Sequence, residues 1–113
     1  KELLTTQKTN IMEENNKLIA EFMGLDTEVF KSGKVNYYYY DKVSKQEIFL
    51  EAHELSYNVS WDWLMPVVNK CLNIYHIEQI NDDLNFKFYD SMGDIKKTYN
   101  AVVEFIKEYN QNN

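Results

Sequence analysis

Both tryptophans and the only proline of this chain fall within six residues of one another, in Ser60-Trp61-Asp62-Trp63-Leu64-Met65-Pro66-Val67-Val68. Burying one tryptophan removes roughly 150–250 Å² from water, worth about 4–6 kcal/mol as an upper bound. Two such groups at the head of an apolar run demand either a core or a contact surface. Pro66 has no amide hydrogen, so the first turn of a helix is where it is best tolerated. A helix therefore starts here, with Ser60 or Asp62 as cap and Leu64, Val67, Val68, Cys71, Leu72 and Tyr75 as its apolar face. Asp62 adds a negative charge at the positive end of the helix dipole.

With 113 residues the chain has room for one core, and we expect a single domain over residues 1–113, frayed at 1–8 and 110–113. An apolar content of 44% with 15% aromatics argues against disorder. Its three glycines and one proline argue against turn-dense barrels and long linkers. No apolar run approaches the roughly 20 residues of a membrane span, and the N-terminal stretch lacks the layout of a secretory signal. Cys71 is the single cysteine, which excludes an internal disulfide and suits a reducing, cytoplasmic setting.

The formal net charge is −6, and all 12 basic residues are lysine. Without arginine the bidentate fork used for phosphates and base edges is missing, so nucleic acid is not an expected partner. Lysine in place of arginine, with 13 asparagines and nine tyrosines, also fits the codon bias of an AT-rich genome.

Along the chain, Ile11, Met12, Leu18, Ile19, Phe22 and Met23 form a stripe that predicts a helix over 10–23. Asn10, three residues before Glu13, has N-cap spacing, and Gly24 is placed to end the helix. Residues 25–34 read as a connector with a Ser32-Gly33 turn. Val35-Asn36-Tyr37-Tyr38-Tyr39-Tyr40 has strong β propensity. In a strand Tyr37 and Tyr39 share one face, and Tyr38 and Tyr40 the other. Asp41–Lys45 turns the chain into Glu47-Ile48-Phe49-Leu50, giving an antiparallel hairpin. Residues 73–80 fit neither period. Leu84–Tyr89 alternates as a strand, and a last helix begins at Ser91–Asp94 with Ile95, Tyr99, Val102, Val103, Phe105, Ile106 and Tyr109 inward. The expected fold is α+β, in the order α-β-β-α-β-α: a small antiparallel sheet of three to four strands packed against three helices.

No residue set dictates a reaction. His53 with Glu47, Glu51 and Glu54 lacks the spacing that converges ligands on one metal, and a solvated acidic loop explains them as well. Cys71 and His76 lack an orienting third group, and Cys71 lies on an apolar helix face where thiols are inert. Phosphate loops, nucleophile elbows and paired carboxylates are missing, and Asn58-Val59-Ser60 matches a glycosylation sequon without a secretory context. We expect no enzyme, no catalytic residues, no cofactor and no metal. The candidate contact residues are Tyr37, Tyr38, Tyr39, Tyr40 and Phe49, which form an interface patch if one strand face stays open, together with Trp61.

Three segments, Asn16–Gly24, Ser60–Val68 and Tyr99–Asn110, resemble segments found in the same order in small proteins of phages, prophages and AT-rich bacteria, the Bacteroidetes group in particular. Those proteins share the general layout of phage α-β-α sandwich proteins, and the match is close over about 30 residues. This chain departs from them in a shorter region between its second and third helices. The resemblance supplies no reaction or ligand. It implies an accessory phage-type protein acting inside a bacterial cell. Small acidic proteins lacking catalytic motifs commonly work by occupying a partner's surface, so we expect a non-enzymatic binding protein that acts on a host protein or on its own copies, with inhibition of host defence as one such role. A sponge for a nucleotide signal and a structural or assembly factor are the alternatives.

Overall fold

The computed structural model describes residues 2–78 and 90–112. The chain divides into two compact units, Lys1–Leu55 and Ser56–Asn113. Among the described residues are three helices and a three-stranded antiparallel sheet, an α+β fold. The Leu84–Tyr89 segment, expected as a strand, lies outside the described residues.

The first unit opens with α1 (Glu2–Phe22), followed by β1 (Thr27–Val29), β2 (Val35–Asp41), β3 (Gln46–Leu50) and a 3₁₀ turn at Ala52–Glu54. Helix α1 starts eight residues earlier than its apolar stripe suggests, so Asn10 is an interior residue and not a cap. The covered face is also turned from the expected one. Asn16, Ile19 and Ala20 are fully buried, whereas Ile11 is 60% exposed. Asn16, Ile19, Ala20 and half-buried Met23 keep the i, i+3, i+4, i+7 spacing of a helix face, so a polar residue holds a core position.

Gly24 ends α1 as expected, and its φ of +73° supplies the left-handed residue that an L side chain resists. The Leu25 amide donates to the Ala20 carbonyl and the Gly24 amide to that of Glu21, both at 3.0 Å, which is the Schellman pattern. The chain then enters β1, a strand inside the stretch expected to be a connector. Strand β2 is central: Thr27, Glu28 and Val29 pair with Tyr37, Asn36 and Val35, and Tyr37 through Asp41 pair with Leu50 back through Gln46. The hairpin turn is fastened by Asp41, whose carboxylate accepts the Val43 amide at 3.1 Å.

The second unit contains α2 (Trp61–Glu78) and α3 (Ile95–Asn112), which pack on each other. The Ser60 carbonyl accepts the Leu64 amide, placing Ser60 at the N-cap with Asp62 in the first turn. Pro66 falls in the second turn, one turn later than its missing amide would favour. Its ring is on the exposed side, where water can serve the Asp62 carbonyl that receives no amide from position 66. Leu64, Val67, Val68 and Cys71 are fully buried, and the helix continues through 73–78, the stretch without a clear period. Asp94 caps α3 by accepting the Lys97 amide at 3.1 Å. Thr98, Tyr99, Ala101, Val102, Val103, Phe105 and Ile106 are buried along it. Helix α3 runs on through residues 110–112, expected as a polar tail.

The Asn16 side-chain amide donates to the carbonyls of Ala52 and Leu55, each at 3.0 Å, in buried surroundings. Replacing Asn16 with leucine leaves the buried Leu55 carbonyl without this donor and the Ala52 carbonyl with only the Leu55 amide at 3.3 Å, so Asn16→Leu is expected to lower stability by about 1–3 kcal/mol, the cost of one buried unsatisfied group. Urea unfolding of the full chain followed by circular dichroism measures this. A loss below about 0.5 kcal/mol, the range of an ordinary surface substitution, would show that the amide is dispensable.

Candidate functional site

The pleat sorts the sheet residues onto two faces, because paired residues across an antiparallel ladder point the same way. One face carries Thr27, Val29, Val35, Tyr37, Tyr39, Ile48 and Leu50; the other carries Glu28, Asn36, Tyr38, Tyr40, Glu47 and Phe49. The first is covered around Tyr37, at 4% exposure, with Tyr39, Ile48 and Leu50 half-buried and Thr27 and Val29 exposed at the β1 edge. On the second, Asn36 is buried at one end, while Tyr40 is 55% and Phe49 53% exposed at the other.

Tyr38 and Phe49 are direct cross-strand partners, with ring centroids 4.5 Å apart and planes inclined at 62°. This edge-on arrangement adds roughly 0.5–1.5 kcal/mol to the hairpin. The Tyr38 hydroxyl donates to Glu28 across to β1. The Tyr38 amide donates to the Asp26 carbonyl at 2.9 Å, which brings residue 26 beside it. The hydrogen bond to Glu28, with desolvation and the negative fields of Glu28, Glu47 and Asp26, holds the Tyr38 phenol above its usual range. The open face is thus an aromatic patch set among carboxylates, and the lysines of this segment sit in its turns, at 31, 34, 42 and 45.

The candidate contact residues therefore separate. Tyr38, Tyr40 and Phe49 share the open face, while Tyr37 and Tyr39 are on the opposite one. Burial and the neighbouring Glu21 and Glu14 raise the Tyr37 pKa, as expected of a phenol turned inward. Trp61 belongs to the second unit, where it is 36% exposed at the start of α2; Trp63 beside it packs edge-on against Tyr57 at 5.2 Å and 87°. Glu28 and Asp26 were not among the expected contact residues. The signal for them was Thr27 and Val29, alternating with Glu28 just before the Ser32-Gly33 turn.

Glu51, His53 and Glu54 bring their ligand atoms within 4.8 Å of one another. Local structure accounts for this gathering. Glu54 accepts the Glu51 amide at 3.0 Å across the 3₁₀ turn, and Glu51 pairs with Lys34 at 3.5 Å and faces His53 at 3.6 Å. Cys71 and His76 do not converge: five residues apart on α2, they lie about 140° apart around its axis. Cys71 is fully buried and His76 is exposed against the Tyr75 ring. A shallow cavity of about 240 Å³ in the second unit is lined by Asp90, Ser91, Lys97, Asn100, Ala101 and Glu104. Two carboxylates against one lysine make it a poor cradle for a phosphate.

Burial pushes the Cys71 thiol up to about 12 and the Tyr99 phenol up to about 12. Both groups are neutral when protonated and take up protons more tightly in the folded chain. The stability they support is complete below their unfolded values, near 9 and 10, and is lost as pH rises toward 12. Native protein at pH 8 is accordingly expected to leave a thiol-reactive dye unconverted until denaturant is added, and its urea midpoint is expected to fall from pH 9 to pH 11. Rapid labelling of the native chain would show that Cys71 is accessible. No protein-family model matches this chain, and comparison with curated proteins and with solved structures returned no match.

Proposed function

We propose that this is a non-enzymatic binding protein of phage or prophage type that works by occupying the surface of a bacterial host protein, inhibition of host defence being one such role. The observation that carries the reading is the open face of the β2–β3 hairpin. Tyr40 and Phe49 stay more than half exposed beside Tyr38. Tyrosine and phenylalanine are the residue types that protein interfaces concentrate in their centres. The setting we propose is the bacterial cytoplasm. In support, none of the helices among the described residues is long and apolar enough to cross a membrane.

The test is affinity capture from host lysate with the full chain and with a Tyr40→Ser/Phe49→Ser variant. The wild-type chain is expected to retain a specific protein and the variant to release it, with a thermal midpoint within a few degrees of wild type because both positions are exposed. Tyr37→Ala serves as the contrast: emptying a buried site costs about 3–5 kcal/mol and should destabilise the chain. Undiminished capture by the double variant would move the working surface elsewhere.

A further inference from the structure

We infer that the partner segment received by the open hairpin face is cationic, an extended stretch of a protein rich in arginine or lysine. The inference rests on the reading of this face as a docking surface and adds the chemistry of its occupant.

Three aromatic rings and three carboxylates are interleaved on one side of the sheet. Register places Glu28, Tyr38, Phe49, Tyr40 and Glu47 on a common face, and the Tyr38 amide bonded to the Asp26 carbonyl sets Asp26 at the same end. A guanidinium or ammonium group laid on a tyrosine or phenylalanine face is attracted by the ring quadrupole. A carboxylate nearby then takes its N–H groups in charge-assisted hydrogen bonds. An apolar partner would satisfy the rings but desolvate the carboxylates without return, and an acidic one would be repelled. A second copy meeting this one face to face would bring the same carboxylates together, which argues against self-association here.

The four lysines of the surrounding segment are in turns at its ends, and Lys34 is engaged with Glu51 at 3.5 Å. The strand-borne charges of the open face are acidic. The chain as a whole carries −6, so long-range attraction and the local site favour the same sign of partner.

The experiment is an amide chemical-shift titration of the full isotope-labelled chain with two short synthetic peptides, one alternating arginine with valine and one alternating glutamate with valine. The expected result is saturable binding of the basic peptide alone, with shifts centred on Tyr38, Tyr40 and Phe49 and weakened by added salt. Glu28→Gln/Glu47→Gln and Phe49→Ser should each reduce its affinity by at least about tenfold, with the circular dichroism spectrum unchanged. Equal binding of both peptides, or shifts lying elsewhere, would overturn the inference. If the basic peptide fails to bind while Tyr40→Ser/Phe49→Ser still releases a captured host protein, the docking surface stands and its cationic specificity falls. If that variant retains the captured protein, the docking reading itself falls. A mass that doubles with concentration and returns to monomer in Phe49→Ser would assign the face to a second copy instead.

Discussion

One side-chain amide, that of Asn16, reaches from the middle of α1 to two carbonyls 36 and 39 residues further along the chain. The 3₁₀ turn it holds contacts both α1 and β2, so it is the junction through which helix and sheet of the first unit are fixed. Within the turn the Ala52 carbonyl accepts the Leu55 amide at a long 3.3 Å, and in a buried position water is not at hand to complete the bonding of the Ala52 and Leu55 carbonyls. Two N–H donors on one planar group meet both needs at once. A serine has one proton to give, and aspartate would present a third acceptor to two acceptors. The helix face that looks faulty by hydropathy, with asparagine where leucine is expected, is thereby the face that must turn inward. Ile11 is left outside as a consequence.

From that junction the two-sided character of β2 follows. Four consecutive tyrosines have the same intrinsic preference for a strand, but the period of two assigns them to different environments. Tyr37 becomes part of the covered face, and its hydroxyl lies in the negative field of Glu21 and Glu14. Tyr38 and Tyr40 are sent to the other side, where Phe49 joins them through the cross-strand register. A slip of one residue would exchange the two sets. Asp41 resists such a slip by capping the Val43 amide, and Lys45, at φ +58°, closes the turn in a left-handed conformation.

How much of this could be read in advance depends on whether the controlling interaction is local. The hairpin was legible, because propensity, alternation and turn residues agree over residues 35–50. So were the Gly24 terminus and the buried faces of α2 and α3, where 3.6-residue spacing and caps coincide. Strand β1 was not, since the alternation of Thr27, Glu28 and Val29 spans only three exposed residues and is fixed as a strand through pairing with β2. Asn16 was invisible for a related reason: its partners are carbonyls, which every sequence has at every position. Pro66 misled by one turn because its steric preference for the first turn competes with burial of Leu64, Val67 and Val68. Three buried side chains outweigh one lost helix hydrogen bond.

The tryptophan segment and the tyrosine face show why composition alone does not locate a working surface. Trp63 has an edge-on partner in Tyr57 and continues into a buried helix face, so packing is sufficient reason for it. Phe49 also has an edge-on partner, in Tyr38, but it stays 53% exposed and Tyr40 55% exposed, and neither continues into a buried face. Threonine at either position would keep the β propensity and remove the hazard that exposed aromatics on a sheet bring. The fold thus tolerates these rings without requiring them, and the carboxylates around them make the patch acidic as well as apolar. That combination is costly to leave exposed and simple to replace, which is the physical ground for proposing the contact with a partner here and not at the tryptophans.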